Sequence, residues 1–410
     1  MRIGIFTETY EPFISGVVTS VKMLKSSLEK MGHEVFIVTA NLEDMHHSYD
    51  EEKKILKIPG VPLKKLYDIR LTGIYSLKAL TQIKKWKLDV IHLQTEWGVS
   101  IFGRLIAKQY NIPLVYTYHT MYEDYAKYIT KGLFDNTSKK IVEYLTKIVC
   151  DKDIKAIITP TKKSRDLLKK KYKIETNVYT IPNGIEIERF YRKNFSQNII
   201  NAYKKDLGIS KEDFVLFYLG RVGKEKNISL LIEGMSELVK TNQELKLLIV
   251  GDGPERKKLE KQVNKLKIGK HVIFVGKVSQ EVVPFYYQLG DLFVIASQTE
   301  TQGMTVTEAM AASMPIVCIE DISYKKMVSD KVNGRYFKDK KEYISIVEKL
   351  VVSPKELENY GIESRKKVEP YSAKYFGKKV FAVYKKAIKS SKGVRFPALK
   401  RISRVFKKRG

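Results

Sequence analysis

Short apolar runs alternate with helical patterns along this chain, and the series occurs twice. Residues 3–6 are apolar, a loop covers 7–15, helical periodicity covers 16–31, and a second apolar run follows at 35–39. The pattern continues through apolar runs at 90–93, 113–118, 156–159 and 178–181. Strands separated by helices need crossover connections, so they pair in parallel and bury both faces. A second series begins at 214–219 and repeats at 245–250, 271–275, 292–296 and 316–319. Between the two lies 183–213, polar and turn-rich, the natural place for a hinge. The chain is therefore predicted to be α/β, with two Rossmann-like, doubly wound parallel-sheet domains facing each other across a cleft. At 410 residues it can fill two cores. The expected division is a first domain over 1–182, a second over 183–370, a C-terminal helix over 371–390 packing back on the first domain, and a basic tail over 391–410.

Hydrophobic residues make up 43% and charged residues 30%, a globular balance. The start, Met-Arg-Ile-Gly-Ile-Phe-Thr-Glu, is charged too early for a signal peptide and reads as a buried first strand. No apolar run is long enough to span a bilayer. Cys150 and Cys318 sit in apolar surroundings far apart in sequence, as free thiols in a reducing compartment do. The expectation is a cytosolic chain. Its net charge of +29 directs it to polyanions: nucleic acid, an anionic bilayer or a phosphorylated substrate. After Glu369 there is no acidic residue, while fourteen lysines and arginines follow.

In open parallel sheets ligands bind at the carboxyl ends of the strands, so the loops there carry the chemistry. Glu300-Thr-Gln-Gly-Met-Thr-Val-Thr-Glu308 follows a strand and opens a helix at Gly303. Such a turn aims backbone N–H groups and a helix dipole at an anion, with a carboxylate on each side for sugar hydroxyls. Arg221 and Lys226, five apart after the first strand of the second series, could clamp one diphosphate from two sides or form an ordinary solvated basic loop. Ser15-Gly16 is either a helix cap or a close backbone approach to a diphosphate. His119 directly follows an apolar strand, at the rim of the sheet. The turns Pro-Asn-Gly at 182–184 and Gly-Asp-Gly-Pro at 251–254 need no ligand to explain them. No G-x-G-x-x-G is present, so a nicotinamide or flavin fingerprint is lacking.

Taken in order, these landmarks resemble the family-four retaining glycosyltransferases of the GT-B fold, over residues 1 to about 370. Thr7-Glu-Thr-Tyr-Glu-Pro with Ser15-Gly16-Val, and Glu300-Thr-Gln-Gly-Met, look like the branch that glucosylates diacylglycerol. The resemblance implies a UDP-hexose donor, bound by 183–370, and a diacylglycerol acceptor, with 1–182 facing acceptor and membrane. It implies that His119 and Glu300 serve catalysis at the sugar. It also implies that Gly16, Arg221, Lys226, Gly303, Met304, Thr305 and Glu308 bind the donor, with Glu308 on the ribose. Neither a cofactor nor an active-site metal is expected, since the basic pair would neutralise the leaving diphosphate. One departure stands out: many relatives have Gly-Gly where this chain has Ser15-Gly16, which puts one backbone contact in doubt.

The tail carries Phe396, Leu399, Ile402 and Phe406 at helical spacing among Arg395, Lys400, Arg401, Arg404, Lys407 and Lys408. A basic amphipathic segment of this kind lies in the headgroups of an anionic leaflet, which would place the enzyme peripherally on the inner face of the cell membrane. The alternative is a disordered basic tail. A second candidate is 66–88, where Leu71, Ile74, Leu77, Leu80, Ile83 and Trp86 make a broad apolar stripe that core packing would explain equally. A glycosyltransferase acting on a soluble or polyprenyl-linked saccharide would show the same donor half. Nucleic-acid binding would need a recognised module or a stripe of stacking aromatics, and the sequence has neither.

Overall fold

The computed structural model describes residues 1–13, 15–41, 45–62, 70–72, 76–119, 143, 144, 146–150, 153–297, 300 and 302–392. Two compact units divide the chain: residues 1–181 with 376–410, and residues 182–375.

Unit 1 contains β1 (Arg2–Thr7), α1 (Gly16–Lys30), β2 (Glu34–Ala40), β3 (Ser48–Asp50), β4 (Ile55–Ile58), β5 (Gly60–Pro62), β6 (Arg70–Thr72) and α2 (Leu77–Trp86). It continues with β7 (Val90–Leu93), α3 (Gly98–Tyr110), β8 (Leu114–Thr117), β9 (Ile154–Thr159), α4 (Lys162–Asp166) and β10 (Val178–Thr180). Its main sheet runs β10-β9-β8-β7-β1-β2-β4-β3, parallel except for the β3–β4 pair at one edge. The chain leaves β1 in one direction through β2 and β4, then returns to the other side of β1 with β7. The switch point, where loops diverge and a ligand can enter, therefore lies at the carboxyl ends of β1 and β7. Strand β1 is buried along its length after Arg2, as a central parallel strand must be.

Unit 2 contains α5 (Gln197–Asp206), β11 (Phe214–Leu219), α6 (Ile228–Thr241), β12 (Leu245–Val250), α7 (Arg256–Lys265), β13 (Val272–Gly276) and α8 (Val283–Tyr286). Then follow β14 (Leu292–Ile295), α9 (Met304–Ala311), β15 (Ile316–Ile319), β16 (Gly334–Phe337), α10 (Lys340–Val351) and α11 (Pro354–Lys367). Its sheet, β13-β12-β11-β14-β15-β16, is parallel throughout, with the switch point between β11 and β14.

Three features differ from the sequence reading. The stretch 183–213 is not an open hinge: Ile185, Ile187, Phe190, Ile200 and Ile209 are buried in the core of unit 2. Its polar composition hid a set of apolar anchors spaced by short 3-10 turns. In the 66–88 candidate, Leu80, Ile83 and Trp86 pack in the core of unit 1, and Trp86 stacks on Phe36 at 4.6 Å. Those three side chains are thus unavailable to a membrane; Ile74 lies outside the described residues. Strands β3 to β6 and β16 are too short for periodicity to reveal.

The last helix, α12 (Ala373–Lys392), belongs to unit 1 from Phe376 onward. Phe376, Val380, Val383, Tyr384 and Ala387 repeat at helical spacing and are buried with Ile3, Ile5, Val35 and Val115. Burying each such side chain contributes about 1.5–3 kcal/mol, so the basic outer face of α12 rides on a firmly held helix.

Candidate active site

The switch point of unit 2 is built from backbone outward. Gly251 follows β12 with φ +134°, and a Cβ there would stand 1.9 Å from the carbonyl oxygen of Gly220. Only glycine lets the loop after β12 close on the loop after β11. Val222 then exchanges bonds with that loop: its N–H donates to Asp252 O at 3.0 Å, and its carbonyl accepts from Glu255 N at 3.1 Å. The segment carrying Arg221 and Lys226 is thereby fixed against its neighbour. The Tyr218 hydroxyl donates to Arg221 O at 3.1 Å and steadies it further.

On this platform the Lys226 ammonium is ion-paired with the Glu300 carboxylate, which arrives from the loop after β14. Both side chains are mostly enclosed. Arg221 Nε lies 3.6 Å from Glu225, in a more exposed pair. Gly303 takes φ +73° and opens α9, whose first residues are Met304 and Thr305. Gln302 is buried, and its side-chain amide grips Asn183 twice: Oε1 accepts from Asn183 N at 2.8 Å, and Nε2 donates to Asn183 O at 3.1 Å. The Pro-Asn-Gly turn, which bland turn chemistry would explain, is thus a brace for the loop holding Glu300 and Gly303.

Glu308 faces inward from α9. Its Oε2 accepts from the Tyr287 hydroxyl at 2.8 Å, and burial pushes its pKa up to about 7 against the opposing effect of that bond. Tyr287 is also 3.1 Å from Thr305 O, so one phenol links the carboxylate to the first turn of the helix. Sequence reasoning missed Tyr287 because nothing in its Tyr-Tyr-Gln setting separates a phenol that holds a carboxylate from any other core aromatic.

Unit 1 has its own cluster at its switch point. Glu8, immediately after β1, is buried and accepts from Val99 N at 2.6 Å and from the Thr95 hydroxyl. It crosses from the loop after β1 to the loop after β7. Burial raises its pKa to about 7. The motif containing Glu8 was visible in the sequence, its position inside the sheet edge was not. Ser15 caps α1, accepting from Val18 N at 3.3 Å, and a Cβ on Gly16 would meet nothing within 4 Å. His119 lies two residues after β8 with its edge partly open; enclosure of the ring lowers its pKa to about 4. Its Nε2 donates to Gln94 Oε1 at 2.7 Å, leaving Nδ1 as the acceptor. Behind it, fully buried His92 lies 2.7 Å from both the Tyr384 and Thr117 hydroxyls, and its pKa falls to about 3. The carboxyl-edge histidine is therefore held by a polar network that reaches α12.

The structure thus brings Lys226, Glu300, Gly303 and Glu308 to one sheet edge of unit 2, with Arg221 on the same loop as Lys226. His119 and Gly16 belong to unit 1. Arg395, Phe396, Leu399, Lys400, Arg401, Ile402, Arg404, Phe406, Lys407 and Lys408 all lie outside the described residues. Among the described residues, no three His, Cys, Asp or Glu side chains gather as a metal-ligand group, and no helix is long and apolar enough to cross a membrane.

Two parallel-sheet Rossmann-like units, each with polar groups at its switch point, are the architecture of the GT-B fold. Residues 199–367 match the family model described as glycosyl transferases group 1, and residues 14–189 match glycosyltransferase family 4. The chain belongs to the family-four glycosyltransferases. It is 36% identical to the alpha-monoglucosyldiacylglycerol synthase of Streptococcus pneumoniae, across 95% of this chain and 87% of that protein. It is 35% identical to the Acholeplasma laidlawii protein of the same name, across 94% of this chain and 96% of that one. The fold matches Anabaena HepE, solved in complex with UDP, with a TM-score of 0.69 at 16% identity over 93% of this chain and 99% of that one.

Proposed function

We propose that this enzyme transfers glucose from UDP-glucose, with retention at the anomeric carbon, to the free hydroxyl of diacylglycerol at the cytoplasmic surface of the membrane. The observation that carries this reading is the near full-length identity of 36% and 35% to two proteins named for that product. The chemistry of unit 2 suits it. An arriving diphosphate would take Lys226 from Glu300, joining Arg221 and the N–H groups of Gly303, Met304 and Thr305 around the phosphate oxygens. Glu300, released, would accept hydrogen bonds from the hexose hydroxyls, and Glu308 would hold the ribose. Gly16 would let the backbone approach the diphosphate. The two cationic side chains then perform the neutralisation a divalent ion performs elsewhere, so no metal is needed.

In the transfer itself, the bond from the anomeric carbon to the phosphate oxygen breaks and a bond to the acceptor oxygen forms on the same face. The acceptor proton passes to the leaving phosphate oxygen. His119, neutral at physiological pH, would offer a hydrogen bond near the sugar rather than a charge. The tail residues Arg395 to Lys408 would anchor the enzyme to anionic lipid.

The test is a labelled-sugar assay with detergent-free vesicles containing diacylglycerol, with and without phosphatidylglycerol, and UDP-glucose or UDP-galactose supplied in turn. A chloroform-soluble product that forms from UDP-glucose and needs both lipids is expected. Release of UDP without any lipid product would overturn the acceptor.

A further inference from the structure

Helix α3 buries one face and keeps the other partly open to solvent. Its inner side, Val99, Phe102, Ile106 and Ala107, is in the core of unit 1. Its outer side presents Trp97 at the cap, then Ile101 and Leu105, at intervals of four residues that keep them in one stripe. A second helical stretch, over 143–144 and 146–150, lies beside it, because the Arg104 guanidinium donates to the carbonyl of Val149. That stretch exposes Tyr144 and Ile148, again four apart. Five exposed large apolar side chains therefore lie on two neighbouring helical stretches, where a single exposed one would be unremarkable.

Charge says what covers them. Between Glu96 and Glu123 there is no acidic residue, while α3 carries Arg104 and Lys108. The neighbouring carboxylates are engaged, Glu8 by Val99 N–H and Thr95, Glu96 by the Tyr116 hydroxyl and Glu143 by Lys147 at 2.8 Å. Unit 1 holds 43 basic against 20 acidic residues, and unit 2 holds 32 against 26. A cationic unit with apolar side chains, including Trp and Tyr, on one outer surface matches the headgroup region of an anionic bilayer, where aromatic rings sit between water and acyl chains. Trp97 is also three residues from Gln94, which holds His119. The stripe starts at the sheet edge where an acceptor hydroxyl would be received.

We propose that the outer face of α3, with Tyr144 and Ile148 beside it, docks on an anionic bilayer and inserts Trp97 at the headgroup level. The assignment rests on the glycolipid reading only for the biological identity of that surface. The chain supplies its own probe: it has two tryptophans, of which Trp86 is 5% and Trp97 54% exposed. Tryptophan emission of the full chain is measured on adding vesicles of phosphatidylglycerol and phosphatidylcholine, with no sugar donor and no diacylglycerol present. Emission should move to shorter wavelength and be quenched by lipids brominated in the upper acyl chain. The Trp97→Phe chain, bound to the same vesicles, should show only the unshifted emission of Trp86. An Ile101→Ser, Leu105→Ser chain should need about tenfold more lipid for half-maximal binding.

Vesicle-bound enzyme whose Trp97 emission neither shifts nor is quenched would overturn the proposal. So would a shift on concentrating the protein without lipid, which would make the face a contact between two copies. Because the readout involves no transfer, a failed glycolipid assay leaves it standing. An unshifted Trp97 in a chain that makes glycolipid removes the docking face alone.

Discussion

Each unit places a glutamate across its switch point, and the two are treated in opposite ways. In unit 2, Glu300 crosses to Lys226 and forms an ion pair beside a helix N-terminus. In unit 1, Glu8 crosses to Val99 N–H and Thr95, has no cationic partner in those bonds, and has its pKa raised by burial to about 7. The first arrangement is exchangeable: an incoming anion can replace the carboxylate on the lysine. The second joins two loops from inside. On the proposed function, one unit would release its internal partner to a charged ligand, while the other would keep its edge rigid beside the proposed docking face.

The most severe break in this contrast is Lys226→Ala. Removing an electrostatic donor from a diphosphate site costs about 10²–10³-fold in turnover. UDP-glucose turnover should fall by that much, and more than the loss of one mostly enclosed ion pair costs in thermal unfolding of the chain. Arg221→Ala should behave alike with a smaller loss, its side chain being the more exposed. A folded Lys226→Ala enzyme with full turnover would mean that the unit 2 pair is structural, like Glu8, and the contrast would vanish.

Gly251→Ala comes next. The new methyl meets a backbone oxygen at 1.9 Å and the residue must hold φ +134°, so unit 2 should lose about 3 kcal/mol or more of stability. Amide exchange should report this loss in unit 2 before unit 1. Equal loosening of both units would show that the loops after β11 and β12 are not independent of the other half.

Mild acid should separate the units further. A carboxyl whose folded pKa is raised is destabilising above that pKa and recovers its full contribution below the unfolded value. Taking the pH from 7 to 5 therefore stabilises unit 2 through Glu308, by about 2 kcal/mol. Glu8 acts the same way in unit 1, but His92 and His119 have lowered folded pKa values and lose stability as pH falls below about 6.5. For His92 the loss at pH 5 is about 2 kcal/mol, with less for the partly open His119. Exchange protection in unit 2 should rise relative to unit 1, and Glu308→Gln should shrink that difference by the share Glu308 contributes. A relative rise in unit 1 instead would count against the buried neutral histidines.

The same asymmetry governs what the sequence made legible. The proposed donor side was the more legible because a diphosphate site would demand particular residues at strand ends: Arg221, Lys226, Gly303 and Glu308 are discrete, spaced and few. Glu8 was equally visible as a letter, yet its role depends on β7 lying next to β1, a pairing that no local pattern encodes. Trp97, Ile101 and Leu105 carry no signal at all, since their helix has enough apolar residues on both faces that only packing decides which face is buried. The 183–213 stretch misled for the converse reason, its anchors being too widely spaced to register as periodic.

The smallest effect tests the finest distinction. Gly16 occupies the first helical position of α1, and a Cβ there meets nothing. On stability alone Gly16→Ala should be neutral or favourable by about 0.5–1 kcal/mol, because it reduces the freedom of the unfolded chain. Gly251 could not tolerate the same methyl, so the two glycines answer different needs: one allows loop to close on loop, the other leaves space that the protein does not fill. If that space admits the diphosphate, Gly16→Ala should raise the KM for UDP-glucose several-fold with the melting temperature unchanged or higher. An unchanged KM would return Ser15-Gly16 to capping alone, and donor binding would then be a property of unit 2 without help from the first loop of unit 1.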